Sequence, residues 1–172
     1  MTSPHPESGS AAVEFAVLFL LLLIVMFGII DLGIIWLQSH YIANAAREGA
    51  RVASKISDLS DGAEQTKVET AIKTYLRGVY RDLQDSEVHL SYDSPAPPAP
   101  KFVEIALADG TLNDFTGAGL ASPPAAVEVR VTVQTAAIWA PVLWDLLKLL
   151  PGENPLGIKE ISQLAVFTKQ PE

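Results

Sequence analysis

The chain reads as an α+β protein. A long N-terminal transmembrane helix continues into a small domain beyond the membrane, where a second helix packs on an antiparallel sheet of about four strands. Three observations predict this. Residues 15–37 read FAVLFLLLLIVMFGIIDLGIIWL, with Asp31 the one charge. Helical spacing of apolar residues then continues to about Leu83. After that the period changes to strict alternation, as in Val127-Glu-Val-Arg-Val-Thr-Val133, where one face of a strand is buried and the other wet.

The apolar run is long enough for the roughly 20 residues that cross a bilayer core. It is apolar on every face, as a helix in lipid must be, and a helix satisfies its own backbone hydrogen bonds where no water can. Gly28 and Gly33 lie inside it and would let another helix approach closely. Asp31, near the far end, reads either as a buried site facing another subunit or as an interfacial carboxylate reaching headgroup water beside Trp36. Past Trp36 the helix turns amphipathic. Ala43, Ala46, Ala50 and Ala53 form a small apolar stripe suited to close packing, and Glu48 precedes Arg51 by three residues for a surface pair. Nothing breaks the helix before Lys55.

Residues 57–62 read as a break. Asp61 and Glu64 have the spacing of a cap and its third residue. A second helix follows to about Leu83, with Val68, Ile72, Leu76, Val79, Tyr80 and Leu83 on one side. Val88, Leu90 and Tyr92 alternate as a first strand. The SPAPPAP run over 94–100 is an extended connector. A second strand is expected over 102–107, then a long irregular loop through Asp109-Gly110, 116–119 and Pro123-Pro124. The Val127–Val133 strand follows. Residues 138–150 form a second apolar stretch too short to span a bilayer, read as a partner- or membrane-facing helix on the sheet edge. Residues 160–168 make the last strand.

Composition narrows the function. The net charge of −8 argues against nucleic acid as a partner, because phosphate binding needs a basic patch. The absence of cysteine excludes disulfides, thiol catalysis and cysteine-ligated metal. His5, His40 and His89 are far apart and form no metal-binding spacing. No nucleophile elbow, phosphate loop or dinucleotide fingerprint is present. No enzyme activity, metal or cofactor is expected.

Glu14 is the unusual residue. It stands at the mouth of the apolar run, where a carboxylate is costly. Gly9 lies five residues upstream, with small residues between. A cut after Gly9 would make Ser10 a new N-terminus, and its amine on one helix could pair with Glu14 of a staggered neighbour in a low dielectric. The Gly9-Ser10 pair, with Glu14-Phe15 and the long apolar run behind it, resembles the prepilin peptidase site of type IV pilin-like proteins. The wider stretch GSAAVEFAVLFLLLLIVMFGIIDLG, with NAAREGARVAS after it, resembles the TadE family of pseudopilins, minor pilin-like proteins of the Tad (Flp) pilus system.

The resemblance implies a leader over 1–9, a transmembrane helix and extension over 10–57, and an extracytoplasmic domain over 58–172. It implies cleavage between Gly9 and Ser10 by a prepilin peptidase, with methylation of the Ser10 amine. Glu14, Phe15 and Asp31 are the candidates for pairing and register between subunits, and Gly28, Gly33, Ala43, Ala46 and Ala50 those for helix packing. The partners implied are other pilin-like subunits and inner-membrane pilus assembly proteins, and the location is the bacterial inner membrane. Charge alone points the other way on orientation, since Arg47, Arg51 and Lys55 follow the apolar run and no Lys or Arg precedes it. The second reading is a membrane-tethered extracytoplasmic binding or scaffold module that is never cut.

Overall fold

A computed structural model describes residues 7–93, 102–134 and 160–169. The described residues fall into two compact units, 7–36 and 37–134 with 160–169. The expected helix over 138–150 lies outside the described residues.

Helix α1 runs unbroken from Glu7 to Ala53. It starts earlier than the expected Ala11, so residues 7–9, read as disordered leader, are helical. Among the described residues it is the one helix long and apolar enough to cross a membrane. It closes with a tightened turn, Lys55 N–H donating to Val52 O at 3.2 Å and Ile56 N–H to Ala53 O at 3.1 Å, an ordinary way to satisfy the last carbonyls. Asp58 then accepts from the Ser60 N–H at 2.9 Å and from its hydroxyl at 2.6 Å. Those bonds, the hydroxyl first, hold the Asp58 carboxyl below the usual aspartate range.

Helix α2 spans Gly62–Arg77, capped by Asp61, whose side chain accepts from Ala63 N–H at 2.9 Å. Glu64 turns to Lys67 at 2.5 Å instead. The helix stops six residues before the expected Leu83. Gly78 is the reason: glycine weakens a helix by about 1 kcal/mol against alanine, and Val79 and Tyr80 N–H both donate to Leu76 O, at 2.9 and 2.7 Å, closing the last turn. A 3₁₀ turn at Asp85–Glu87 follows. It is clasped to α2 by Asp85, which takes Lys73 at 3.0 Å and Arg77 at 2.9 Å. Burial works against the Lys73 charge, but its hydrogen bonds to Glu69 and Asp85 hold its pKa above the ordinary lysine value.

The sheet has strand order β1 (Val88–Tyr92), β2 (Val103–Thr111), β3 (Ala125–Gln134), β4 (Glu160–Thr168). It is mixed rather than wholly antiparallel, because β1 pairs parallel with β2. The connector explains this. A proline run is unsuited to a tight hairpin, and ten residues between the strands are enough to return the chain to the start of a five-residue strand of roughly 17 Å. The left-handed Asp93 (φ 49°) turns the chain out of β1.

Strand β2 continues through Asp109-Gly110, where a turn was expected, and those residues pair with Val127 and Ala126 of β3. The expected loop begins instead with a short helix α3 (Leu112–Thr116). Asp114 accepts from the Thr111 hydroxyl and N–H, both at 2.7 Å, and these bonds lower its pKa.

One face of the sheet makes the core. Val103, Ile105 and Leu107 stand in register with Val133, Val131 and Val129, all essentially inaccessible. The same is true of Val68, Ile72 and Leu76 of α2 and Ile42, Ala45, Ala46, Ala50 and Ala53 of α1. Each large aliphatic side chain so buried stabilises the fold by roughly 1.5–3 kcal/mol.

Candidate functional site

The site follows from the first half of α1. Its large side chains lie open: Phe15 is 69% exposed, Leu32 68% and Trp36 66%. A helix with that surface is stable only in an apolar medium. Phe15 stacks on Phe19 with ring centroids 6.0 Å apart. One turn of helix brings Ser10 beside Glu14, and the Ser10 hydroxyl donates to Glu14 Oε1 at 3.3 Å. The carboxylate therefore leans toward the residue that a cut after Gly9 would make the N-terminus. Gly9 itself lies in the opening turns of α1.

Asp31 is 5% exposed. It lies on a half-buried stripe with Ile24, Phe27, Gly28, Ile34 and Ile35, spaced three to four residues apart as one helix face. Gly33 lies off that stripe, and a Cβ built there would meet nothing within 4 Å.

The second half of α1 carries the opposite surface. Ala46 and Ala50 are fully buried, and Ala43 is half-buried. The tightest point is a residue that sequence reasoning passed over. A Cβ on Gly49 would lie 2.5 Å from Ile72 Cδ1 of α2 and 3.3 Å from Val129 Cγ1 of β3. Three elements meet there at a distance only glycine permits. The signal was present in the sequence: Ala45, Ala46, Gly49, Ala50 and Ala53 are all small and share a helix face.

Residues 9–51 match the family described as TadE-like protein. The match covers about a quarter of the chain, begins on Gly9 and ends on Arg51. No curated protein and no solved structure matches the chain. The TadE-like segment thus takes in the Ser10–Glu14 contact, the apolar run, Asp31 and the Gly49 crossing. The segment is similar to TadE-like proteins, and among the described residues it holds the one helix long and apolar enough to cross a membrane.

The rest of the TadE-like segment adds a surface pair. Arg51 Nε donates to Glu48 Oε2 at 2.9 Å, and this bond holds the Glu48 carboxyl below the usual glutamate range. Glu48 lines an open cleft of about 610 Å³ with Tyr41, Ala71, Thr74, Tyr75 and Gly78. Two tyrosines and a carboxylate already tied to arginine can hold a ligand but do not form a nucleophile and base. Among the described residues no group of three or more His, Asp or Glu is placed to hold a metal.

Proposed function

We propose that this chain is a structural pilin-like subunit of a Tad-type pilus, made as a precursor and cut after Gly9 by a prepilin peptidase. The observation that carries this reading is the TadE-like match, which begins on Gly9, one residue before the proposed new N-terminus. The Ser10–Glu14 contact supports it. A free α-amine on Ser10 is mostly protonated near neutral pH, and it would meet Glu14 of a neighbouring subunit inside the apolar layer. Pairing there neutralises two charges that are each costly alone. The pairing sets the axial register between helices. The chain sits in the inner membrane with its folded unit outside, beside other pilin-like subunits and assembly proteins. It works without catalytic chemistry of its own, and the Ser10 amine is a site for methylation.

The experiment is the intact mass of the protein from its native membrane. A mature form starting at Ser10 is expected, and the Gly9→Val variant should retain residues 1–9. A native protein that still carries them would overturn the cleavage. The Glu14→Ala variant should insert into the membrane normally but lose assembly, and unchanged pilus output would overturn the register role. The open cleft at Tyr41 and Tyr75 favours a second reading, a tethered binding module. An uncut native protein would favour it over the first.

A further inference from the structure

The Gly9–Ser10 bond lies inside α1, which is helical from Glu7 onward. By the helical repeat the Gly9 carbonyl accepts from the Val13 N–H, and the Ser10 carbonyl from the Glu14 N–H. The Ser10 hydroxyl, on Glu14 Oε1 at 3.3 Å, fastens the same turn from outside. A peptide bond held this way is a poor substrate. Hydrolysis puts negative charge on the Gly9 carbonyl oxygen, and an enzyme stabilises that charge with donors aimed at the same atom. Here the oxygen is already engaged. A helix also uses its backbone groups internally, so it has none to offer to a peptidase groove that takes an extended segment as an added strand.

The sequence makes this stretch easy to open. Ser8, Gly9 and Ser10 are weaker helix formers than Ala11 and Ala12, and glycine is the weakest of them. The step from weak to strong formers falls between Ser10 and Ala11, one residue past the bond. Unwinding from a helix end leaves the rest of the helix intact, so the turn re-forms without a new nucleus.

We propose that the precursor keeps its own cleavage site latent. The Gly9–Ser10 bond is cut only in the minor population whose residues 7–10 have unwound, and Gly9 sets the size of that population by weakening the helix at the bond that must open. This rests on the cleavage reading above and adds a gate to it. In the open form water adds to the Gly9 carbonyl carbon and the C–N bond breaks. Gly9 keeps a carboxylate, and Ser10 leaves with the proton as an amine. The cut discards the weakest helix former and leaves a helix that opens on Ser10, Ala11 and Ala12.

The test uses the full chain in detergent micelles and has two readouts. One is the rate of cutting by a purified prepilin peptidase at limiting substrate. The other is hydrogen exchange of the Val13 N–H with no peptidase present, which reports how often the Gly9 carbonyl is released. Ser8→Gly and Ser8→Ala both place a small side chain at the second position before the bond, yet they differ in helix propensity. Ser8→Gly should be cut about five times faster than Ser8→Ala, and its Val13 N–H should exchange faster by the same factor. A peptidase pocket that merely prefers one side chain would change the cutting and leave the exchange alone, and that result would overturn the gate. So would equal rates of cutting for the two variants, or a Val13 N–H in the native precursor that exchanges as fast as in an unstructured peptide. A native chain left whole by the peptidase would overturn the cleavage reading and the gate with it, whereas the other failures overturn the gate alone.

Discussion

Residues 10–37 and residues 38–53 belong to the same unbroken helix, yet their surfaces follow opposite rules. In the first stretch most large side chains stand open, and Gly33 has free space where a Cβ would go. In the second the buried side chains are mostly alanines, and Gly49 has Ile72 and Val129 where its Cβ would go. The difference is one of neighbours rather than of helix formation. Lipid accepts any apolar volume and rewards size. A helix wedged between another helix and a sheet can approach only if its contact face is small. Small residues in an α-helix thus mean opposite things in the two halves: open surface at Gly33 and a packing constraint at Gly49.

The sharpest way to break this comparison is to put the same side chain at both glycines. Gly49→Val should destabilise the folded unit by about 3 kcal/mol, the upper range for overpacking, seen as a lower urea midpoint for the full chain in detergent micelles. Ile72→Val removes the Cδ1 atom that stands 2.5 Å from the new Cβ. In the Gly49→Ala background it should therefore cost less than it does alone, a coupling that a double-mutant cycle reads directly. An additive result would mean that Gly49 is not held by Ile72.

Much of the architecture was legible because the patterns were long and unambiguous. The apolar run, the Val127–Val133 alternation and the Asp61 cap each rest on local chemistry, and β4 spans Glu160–Thr168 as expected. The misses come from non-local effects. Nothing near Val88 says that β1 will run parallel to β2, because direction depends on how far the proline connector reaches. Asp109-Gly110 has turn chemistry but sits in β2, where Lys169 reaches Asp109 at 2.6 Å and holds it in the sheet. At Gly110 a Cβ would stand 3.1 Å from the Phe115 ring, so the glycine makes room for α3 rather than for a turn. Gly49 was hidden for a related reason: its partners are 23 and 80 residues away.

The Lys169–Asp109 pair sharpens the account of the folded half at a smaller scale. Lys169 also lies 3.4 Å from Ser57 O, tying β4 to β2 and to the segment after α1. Both side chains are mostly covered, so removing one partner leaves a poorly solvated charge. Lys169→Met should cost about 1–2 kcal/mol, less than for a fully buried pair because some solvent screening remains. Equal stability of Lys169→Met and the native chain in urea would show the pair to be surface decoration.

Tyr80 should act in the opposite direction. Its ring packs edge-on against Phe102 with centroids 5.8 Å apart, and its buried hydroxyl has no hydrogen-bond partner among the described residues. Burial raises its pKa to about 12. Folding therefore favours the protonated phenol. That preference has no effect below the ordinary tyrosine value near 10. Above it the unfolded chain ionises first, so stability falls as pH rises toward 12. Tyr80→Phe removes an unsatisfied polar atom and should raise stability at neutral pH by about 0.5–1 kcal/mol, and it should lessen the alkaline loss in urea melts taken between those two pH values, the remainder belonging to Tyr92 and Lys73, whose pKa values are also raised.

Gly33→Val is the counterpart to Gly49→Val and the smallest expected effect. Nothing stands within 4 Å of the new Cβ, and valine adds apolar surface where lipid is the solvent. Helix propensity works slightly in its favour, since valine is a better helix former than glycine. The urea midpoint of the folded unit should move by less than about 0.5 kcal/mol, as for a substitution away from any packed contact. A loss comparable to that of Gly49→Val would mean that residue 33 is packed against protein after all. A loss seen only in native membranes, with the isolated chain unchanged, would place that contact on a neighbouring subunit.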